Sequence, residues 1–151
     1  MTEPAGPKSK IVAEVGGQPE ESGVCVALYG DDLDPDDVTE RLGCKPTSSH
    51  RRGDRKGPQS PPYPRGAWLL TLRGEIPTAP EQLIRRLLLR LPSDERVWRD
   101  LCSRFEIQVR IAVHFTGWNK GFSLPADVAA AVARMQASVV IDLYAYDDQD
   151  A

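Results

Sequence analysis

Regular alternation of apolar and polar side chains predicts strands at three places along the chain. The first is V-C-V-A-L-Y at residues 24–29, the second is E-I-Q-V-R-I-A-V-H-F at residues 106–115, and the third begins at Val139. A period of two places successive side chains on opposite faces of a sheet, so one face packs and the other meets water. A further strand, A-W-L-L-T-L at residues 67–72, is apolar on both faces, which is typical of a central strand.

A short helix with defined ends follows the first strand. Asp34 suits the N-cap and Pro35 the first helical position, where no amide hydrogen is needed. Leu33 and Val38 can close as a hydrophobic staple, and Gly43 can adopt the left-handed conformation that ends a helix. The sequence therefore predicts a helix that begins at Pro35 and stops before Gly43.

Apolar stripes at helical spacing predict further helices between the later strands. Thr78 and Glu81 have the spacing of a capping box at the start of a leucine-rich helix, which Pro92 breaks. Ser93 can cap a second helical piece, although one bent helix fits the pattern equally well. The last helix is expected over about residues 126–137.

The order of these elements predicts the fold class. Helices between strands imply crossover connections, which are right-handed almost without exception, so the helices should collect on one face of the sheet. We expect an α+β fold, a two-layer sandwich in ferredoxin-like style. Its sheet should be mainly antiparallel with four to five strands, the additional strand being a short one near residues 47–52.

Length and composition favour one compact domain. The 151 residues are 40% hydrophobic and 27% charged, enough to bury a core without disulfides. We assign the domain to residues 23–147, with a flexible tail at 1–22, in which residues 11–15 can add an edge strand, and an acidic tail at 148–151. No apolar run approaches the roughly 20 residues that span a bilayer, and the first residues lack a signal peptide's apolar core. The expected location is the cytoplasm.

Metal, cofactor and nucleic-acid patterns are weak. The three cysteines, Cys25, Cys44 and Cys102, lie far apart without a C-x-x-C pair, so neither a disulfide framework nor a zinc site is indicated. Aspartates between residues 31 and 37 lack the spacing of a calcium loop. The formal net charge of −3 argues against nucleic acid as a partner of the whole surface. No metal ligands and no cofactor are predicted.

A long loop at residues 45–66 carries the first candidate binding site. It combines a basic cluster with glycines and prolines, and a loop of this length is commonly functional or disordered. The candidate residues are His50, Arg51, Arg52, Arg55 and Lys56. They could hold a phosphate, a nucleic-acid backbone or an acidic surface; the alternative is a solvated, mobile loop that attracts anions without binding them.

The polar face of the sheet carries the second candidate site. If the apolar positions of the strands at 106–115 and after Val139 face the helices, including Ile141 and Leu143, alternation collects the polar side chains on the opposite face. Those side chains are Tyr29, Arg110, His114, Asp142, Tyr144 and Tyr146. Tyrosine with arginine is the composition of an interaction surface, although a sheet also needs a wettable face or one that a loop or second subunit covers.

Catalysis has sparse support in the sequence. His50 and His114 show neither triad nor metal spacing, and Cys25, which could approach His114 across the sheet, is more simply a buried structural thiol. No catalytic residue is assigned. We favour a non-enzymatic module that binds a protein partner or a small ligand, as a monomer or a homodimer. A small enzyme using His114 or His50 is one alternative, and a nucleic-acid or phosphate binder through the basic loop is the other.

The ordered motifs resemble a known family. They are the L-D-P-x-x-V-T-x-x-L-G-x-x-P segment ending at Pro46, Arg52-Gly53-Asp54, Trp68, the leucine-rich helix, Gly121-Phe122-Ser123-Leu124 and the closing Ile141-Asp142-Leu143-Tyr144. In order and spacing they resemble the bacterial family catalogued as domain of unknown function 4279, over about Val24 to Tyr146. The resemblance implies a small bacterial α+β domain and brings no catalytic residues. The proline-rich stretch after Lys56 and the charged N-terminal segment depart from the family pattern.

Overall fold

The computed structural model describes residues 17–74 and 78–146, which form a mixed α+β fold. In chain order the elements are β1 (Glu21–Gly30), α1 (Pro35–Leu42), β2 (Ser48–His50), β3 (Gly66–Arg73), α2 (Pro80–Leu88), α3 (Glu95–Arg104), β4 (Glu106–Thr116), α4 (Ala126–Arg134) and β5 (Ser138–Tyr146). The predicted fold class, with a mostly antiparallel sheet of five strands, is confirmed.

The strands form one open sheet in the order β2-β3-β1-β4-β5. The pairs β2 with β3, β3 with β1 and β1 with β4 are antiparallel, and only β4 with β5 is parallel. The parallel pair follows from chain direction, because the chain returns through α4 before it enters β5. The central strand is β1, so its two faces set the positions of everything packed on the sheet.

One face of the sheet and the helices share a single buried core. From β1 this face contributes Val24, Val26 and Leu28, which are at most 2% exposed. Side chains from all four helices belong to the same buried cluster, among them Val38, Leu87, Leu101 and Val132. Trp68 of β3 is fully buried there, as its strand predicted. All four helices of the described chain contribute to the core on this side of the sheet. We call the opposite face of the sheet the open face.

Helix α1 has the ends that the sequence predicted. The Asp34 side chain accepts a hydrogen bond from the Asp36 amide at 3.0 Å, and Pro35 begins the helix. Gly43 has a φ of 72° and its amide donates to the Thr39 carbonyl. A residue with a Cβ resists that left-handed conformation, so glycine ends the helix here.

Two helix starts were predicted one residue away from their true positions. Helix α2 is capped at Ala79, without a side-chain cap bond, because Pro80 fixes the first helical position; Thr78 is therefore not its N-cap. Helix α3 is capped by Asp94, whose carboxylate accepts from the Arg96 amide at 2.9 Å, rather than by Ser93. The two helices are separate, not one bent helix.

Strand β5 differs from the expectation in how well its apolar side is covered. Its register with Ile111 and Val113 places Ile141 and Leu143 on the helix face, as predicted. Yet Ile141 is 47% exposed and Leu143 66% exposed. The helices lie over the inner strands, and β5 is at the edge of the sheet beyond them.

Some predicted boundaries fall at the limits of the described chain. Strand β1 begins at Glu21, two residues inside the segment predicted as a tail. The proposed edge strand at residues 11–15 and the acidic tail at 148–151 lie outside the described residues.

Candidate functional site

Three rows of side chains cross one end of the open face. In the middle row Gly23 of β1 is paired with Arg73 of β3 and with Ala112 of β4, and Ala112 is paired with Asp142 of β5. Glycine and alanine raise almost nothing above the backbone, whereas Arg73 and Asp142 stand at the two sides. The row therefore forms a depression in the sheet.

The rows on either side complete a concave site. One neighbouring row, which we call the upper row, consists of the cross-strand neighbours Glu21, His114 and Tyr144. The other, the lower row, consists of Thr71, Cys25 and Arg110. The concavity has a volume of about 490 Å³. We call it the open-face pocket; its lining is Glu21, Ser22, Gly23, Val24, Cys25, Thr71, Arg73, Arg110, Ala112, His114, Asp142 and Tyr144.

A chain of polar contacts runs from the open-face pocket toward the other end of the open face. Arg110 donates through Nη2 to Asp142 Oδ2 at 3.0 Å and through Nη1 to Gln108 Oε1 at 3.0 Å. Gln108 Nε2 donates to Glu106 Oε1 at 2.8 Å, and Arg65 Nη1 donates to Glu106 Oε2 at 2.9 Å. These hydrogen bonds, from Gln108 first and then Arg65, lower the pKa of Glu106. Charges of opposite sign alternate along the chain and offset one another.

Three aromatic rings stack at the upper corner of the open-face pocket. The rings of His114 and Tyr144 are 4.6 Å apart between centroids and inclined by 9°. Tyr146 lies on the same side, with its ring 5.7 Å from that of His114 and its hydroxyl 2.8 Å from His114 Nδ1. Both tyrosines are about half exposed. The cluster presents a flat, partly apolar surface with hydrogen-bonding edges.

Cys25 and His114 both line the open-face pocket, but they are not neighbours. Cys25 is paired with Arg110, and His114 lies four residues farther along β4, a separation of about 13 Å along the strand. Burial raises the pKa of the Cys25 thiol, although a hydrogen bond with Thr71 and the charge of Arg110 act in the opposite direction. Cys25 therefore does not approach His114, and the thiol has the environment of a structural cysteine, the simpler of the two interpretations of the sequence.

Tyr29 belongs to the open face but not to the open-face pocket. It is paired with Glu106, eight residues before His114, so the two side chains lie about 26 Å apart along the sheet. The guanidinium of Arg65 covers its ring at 4.7 Å, and burial raises the pKa of its hydroxyl. The structure thus brings Arg110, His114, Asp142 and Tyr144 together, with Tyr146 beside them, and leaves Tyr29 out.

The basic loop is tied to the rest of the molecule by its own cations. Arg51 Nη2 lies 2.7 Å from Asp34 Oδ1 and 3.2 Å from Asp36 Oδ2. Arg52 is 3.9 Å from Asp31, and Arg55 donates to the Ser60 carbonyl at 2.8 Å.

Backbone and ring contacts close the loop. The Gly53 amide donates to the Tyr63 carbonyl at 2.9 Å, and the Tyr63 amide donates to the Asp54 carbonyl at 2.8 Å. His50 stacks on Tyr63 with 3.5 Å between ring centroids. Lys56 has no ion-pair partner within 17–74 and 78–146. The loop therefore has defined contacts, and carboxylates already face two of its arginines, which weakens the prediction of a mobile, anion-attracting cluster.

Sequence reasoning missed the residues that shape the open-face pocket. Gly23 and Ala112 carry no polar signal, and their importance depends on lying opposite each other. Arg73 could have been found, because it continues the alternation of Thr71 onto the same face of β3. It makes no ion pair within the described part of the chain.

Among residues 17–74 and 78–146 no helix is long and apolar enough to cross a membrane, and no three histidine, cysteine or acidic side chains are grouped to hold a metal ion.

Comparisons with known proteins give a family and nothing narrower. No curated protein and no solved structure matches the chain. A family model described as domain of unknown function (DUF4279) matches residues 20–146, which is most of the chain, and the chain therefore belongs to that family.

Proposed function

We propose that this protein is a binding module whose ligand is a small polar molecule held in the open-face pocket. One observation carries the proposal: Gly23 and Ala112 form a depression between Arg73 on one side and Asp142, which Arg110 contacts, on the other. The volume of about 490 Å³ falls within the range of small-molecule sites, which is roughly 300 to 1,000 Å³.

The charges around the open-face pocket favour a ligand with both an anionic and a hydrogen-donating end. Arg73 and Arg110 offset Glu21 and Asp142 in number, so a strongly charged ligand gains little. Arg110 uses two of its five N–H donors on Gln108 and Asp142. The remaining donors and the Arg73 guanidinium suit a carboxylate or carbonyl, while Glu21 and Asp142 suit an ammonium or amide group.

Flat groups fit the upper corner. The rings of Tyr144 and Tyr146 are about half exposed and offer apolar area with a hydroxyl at the edge, a combination common at recognition sites. A compact zwitterion or a substituted planar ring therefore matches the lining better than a phosphate chain. Catalysis has less support, because the His114 ring is engaged by the Tyr146 hydroxyl and stacked on Tyr144, and the Cys25 thiol is distant from it.

The sharpest test fills the floor of the open-face pocket. A Cβ on Gly23 would meet its nearest atom, the Arg73 Cγ, at 3.8 Å, which is an ordinary contact. We therefore expect Gly23→Val to occupy the depression and to be accepted in β1, because a β-branched residue is favoured in a strand. Gly57→Ala is the matched control, since a Cβ there also meets nothing closer than 3.8 Å and the loop lies outside the open-face pocket.

Both variants and the unaltered protein are dialysed against a metabolite extract, and the retained small molecules are measured by mass spectrometry. We expect the unaltered protein and Gly57→Ala to enrich the same compound, and Gly23→Val to retain it at least about tenfold less. Cys25 gives a second readout, because bound ligand should slow its alkylation while Cys102, which is exposed, reacts unchanged. Equal retention by Gly23→Val, or no retained compound, would refute the proposal.

A further inference from the structure

The free edge of β5 exposes an apolar surface that the rest of the described fold does not cover. Val139 is 43% exposed, Ile141 47% and Leu143 66%, and all three lie on the helix face of the strand. On its inner side β5 pairs with β4, and on its outer side it pairs with no strand of the described chain. Alternate backbone amides and carbonyls of an edge strand point outward and can pair with another strand.

The two edge strands of the sheet, β2 and β5, differ in length. The opposite edge is β2, which has three residues and offers little length for pairing. Strand β5 has nine residues, Ser138–Tyr146, and contains neither proline nor lysine, the residues that commonly protect edges. Its one charged residue, Asp142, is engaged by Arg110. The edge is long, apolar and close to neutral, so it is suited to pair with another long, apolar and uncharged strand.

We propose that β5 pairs antiparallel with β5 of a second copy, about a two-fold axis at Ile141. A two-fold axis perpendicular to the sheet keeps each face on its own side, so the axis must lie between one residue and the same residue of the other copy. In this register Ile141 meets Ile141 of the other copy, and Val139 meets Leu143 on each side of the axis. All three exposed aliphatic side chains of each copy then have an aliphatic partner.

Neighbouring registers match less well: an axis at Val140 would leave Leu143 opposite a position before Ser138, the first residue of the strand. An axis at Asp142 would place two carboxylates directly opposite each other, which destabilises an antiparallel pair. An axis at Leu143 would leave Val139 opposite a position beyond Tyr146, the last residue of the strand. With the axis at Ile141, Asp142 meets Val140 of the other copy and remains free to bind Arg110. The inferred partner is therefore another copy of this chain, and the inference is independent of the ligand proposed for the open-face pocket.

Sedimentation equilibrium of the full chain tests the dimer. The unaltered protein should dimerise, and Ile141→Lys, which places two lysines against each other at the axis, should weaken the dimer at least about tenfold. Leu89→Lys is the matched control: Leu89 is 87% exposed and far from β5 in the chain, so this variant should dimerise like the unaltered protein. Circular dichroism confirms that each variant is folded.

A charge swap tests the register itself. Val139→Lys and Leu143→Glu should each weaken the dimer, and the double variant should recover at least about tenfold, because each new lysine meets a new glutamate of the other copy. A monomeric unaltered protein would overturn the proposal. If that monomer dimerised only after deletion of residues 1–16, the edge would be assigned to the chain's own N-terminal segment instead. A dimer that Ile141→Lys leaves intact, or a double variant without recovery, would overturn it too.

Discussion

A single carboxylate joins the first described residues of the chain to the far end of β4. Glu20 Oε2 accepts a hydrogen bond from the Thr116 amide at 2.9 Å, and Oε1 accepts from the Thr116 hydroxyl at 3.0 Å. Lys120 Nζ lies 3.2 Å from Oε1. Desolvation raises the pKa of Glu20, but the hydrogen bonds from Thr116 and Lys120 outweigh it and lower the pKa from 4.5 to about 2.

This pKa shift predicts a pH dependence of stability with a definite sign. Since the folded protein binds the Glu20 proton less readily than the unfolded chain, the carboxylate stabilises the fold above pH 4.5, and the contribution disappears as the pH falls toward about 2. Glu20→Gln should lower the melting temperature at neutral pH and flatten its decline between about pH 5 and pH 2. Glu40→Gln, an exposed change without an ion pair in the described residues, is the control. Parallel melting curves for Glu20→Gln and the unaltered protein across this range would contradict the prediction.

The start of α1 shows how one side chain can serve two elements. Asp34 caps the helix through the Asp36 amide and also accepts from Arg51 of the basic loop at 2.7 Å. The cap was predictable, because the residue order around Pro35 specifies it locally. The contact with Arg51 was not, because it joins residues 17 positions apart and depends on how the loop folds back.

Removing this shared carboxylate should cost more than removing an ordinary surface aspartate. Asp34→Ala loses the cap, at about 1 kcal/mol of unfolding free energy, and weakens the attachment of Arg51 by about 0.2 to 1 kcal/mol, the range for an exposed ion pair. Asp32→Ala is the control, since Asp32 is exposed and makes no ion pair among the described residues. Urea unfolding measures both, and equal midpoints for the two variants would exclude the double role of Asp34.

Strand positions were predictable from the sequence where one face is buried and the other wet. The alternation in β4 is complete, and Ile107, Val109, Ile111 and Val113 are all buried. The same alternation in β5 correctly assigned the face of Ile141 but overestimated its burial. Alternation with a period of two residues predicts which face of the sheet a side chain is on. Whether that side chain is buried depends on how far the helices extend and on the place of the strand in the sheet.

At the scale of the whole molecule, the open-face pocket depends on strand order more than on any motif. Its lining comes from β1, β3, β4 and β5, which are adjacent in the sheet although β3 and β4 are separated in the chain by two helices. Alternation along β4 and β5 identified Arg110, His114, Asp142 and Tyr144. Gly23 and Ala112 required the register of β1 with β4, which no local pattern states.

The shared core should make the described fold one cooperative unit. Leu28 lies in the central strand, has 0% exposure, and is paired with Trp68 of β3 and Ile107 of β4. Leu28→Ala removes buried surface and leaves a cavity, so it should lower the free energy of unfolding by about 2 to 5 kcal/mol. Leu89→Ala, at a leucine that is 87% exposed, should change it by no more than about 0.5 kcal/mol.

Two probes in the same denaturant titration decide whether the loss is global. Trp68 and Trp98 are buried at 0% and 1% exposure, so their fluorescence reports the core, while far-ultraviolet circular dichroism reports the helices and strands. Because side chains from all four helices and the inner strands belong to one buried cluster, both signals should change at one midpoint, and Leu28→Ala should move them together. Separate midpoints, or a Leu28→Ala midpoint equal to that of Leu89→Ala, would show that the strands and helices are not stabilised together by the buried core on β1.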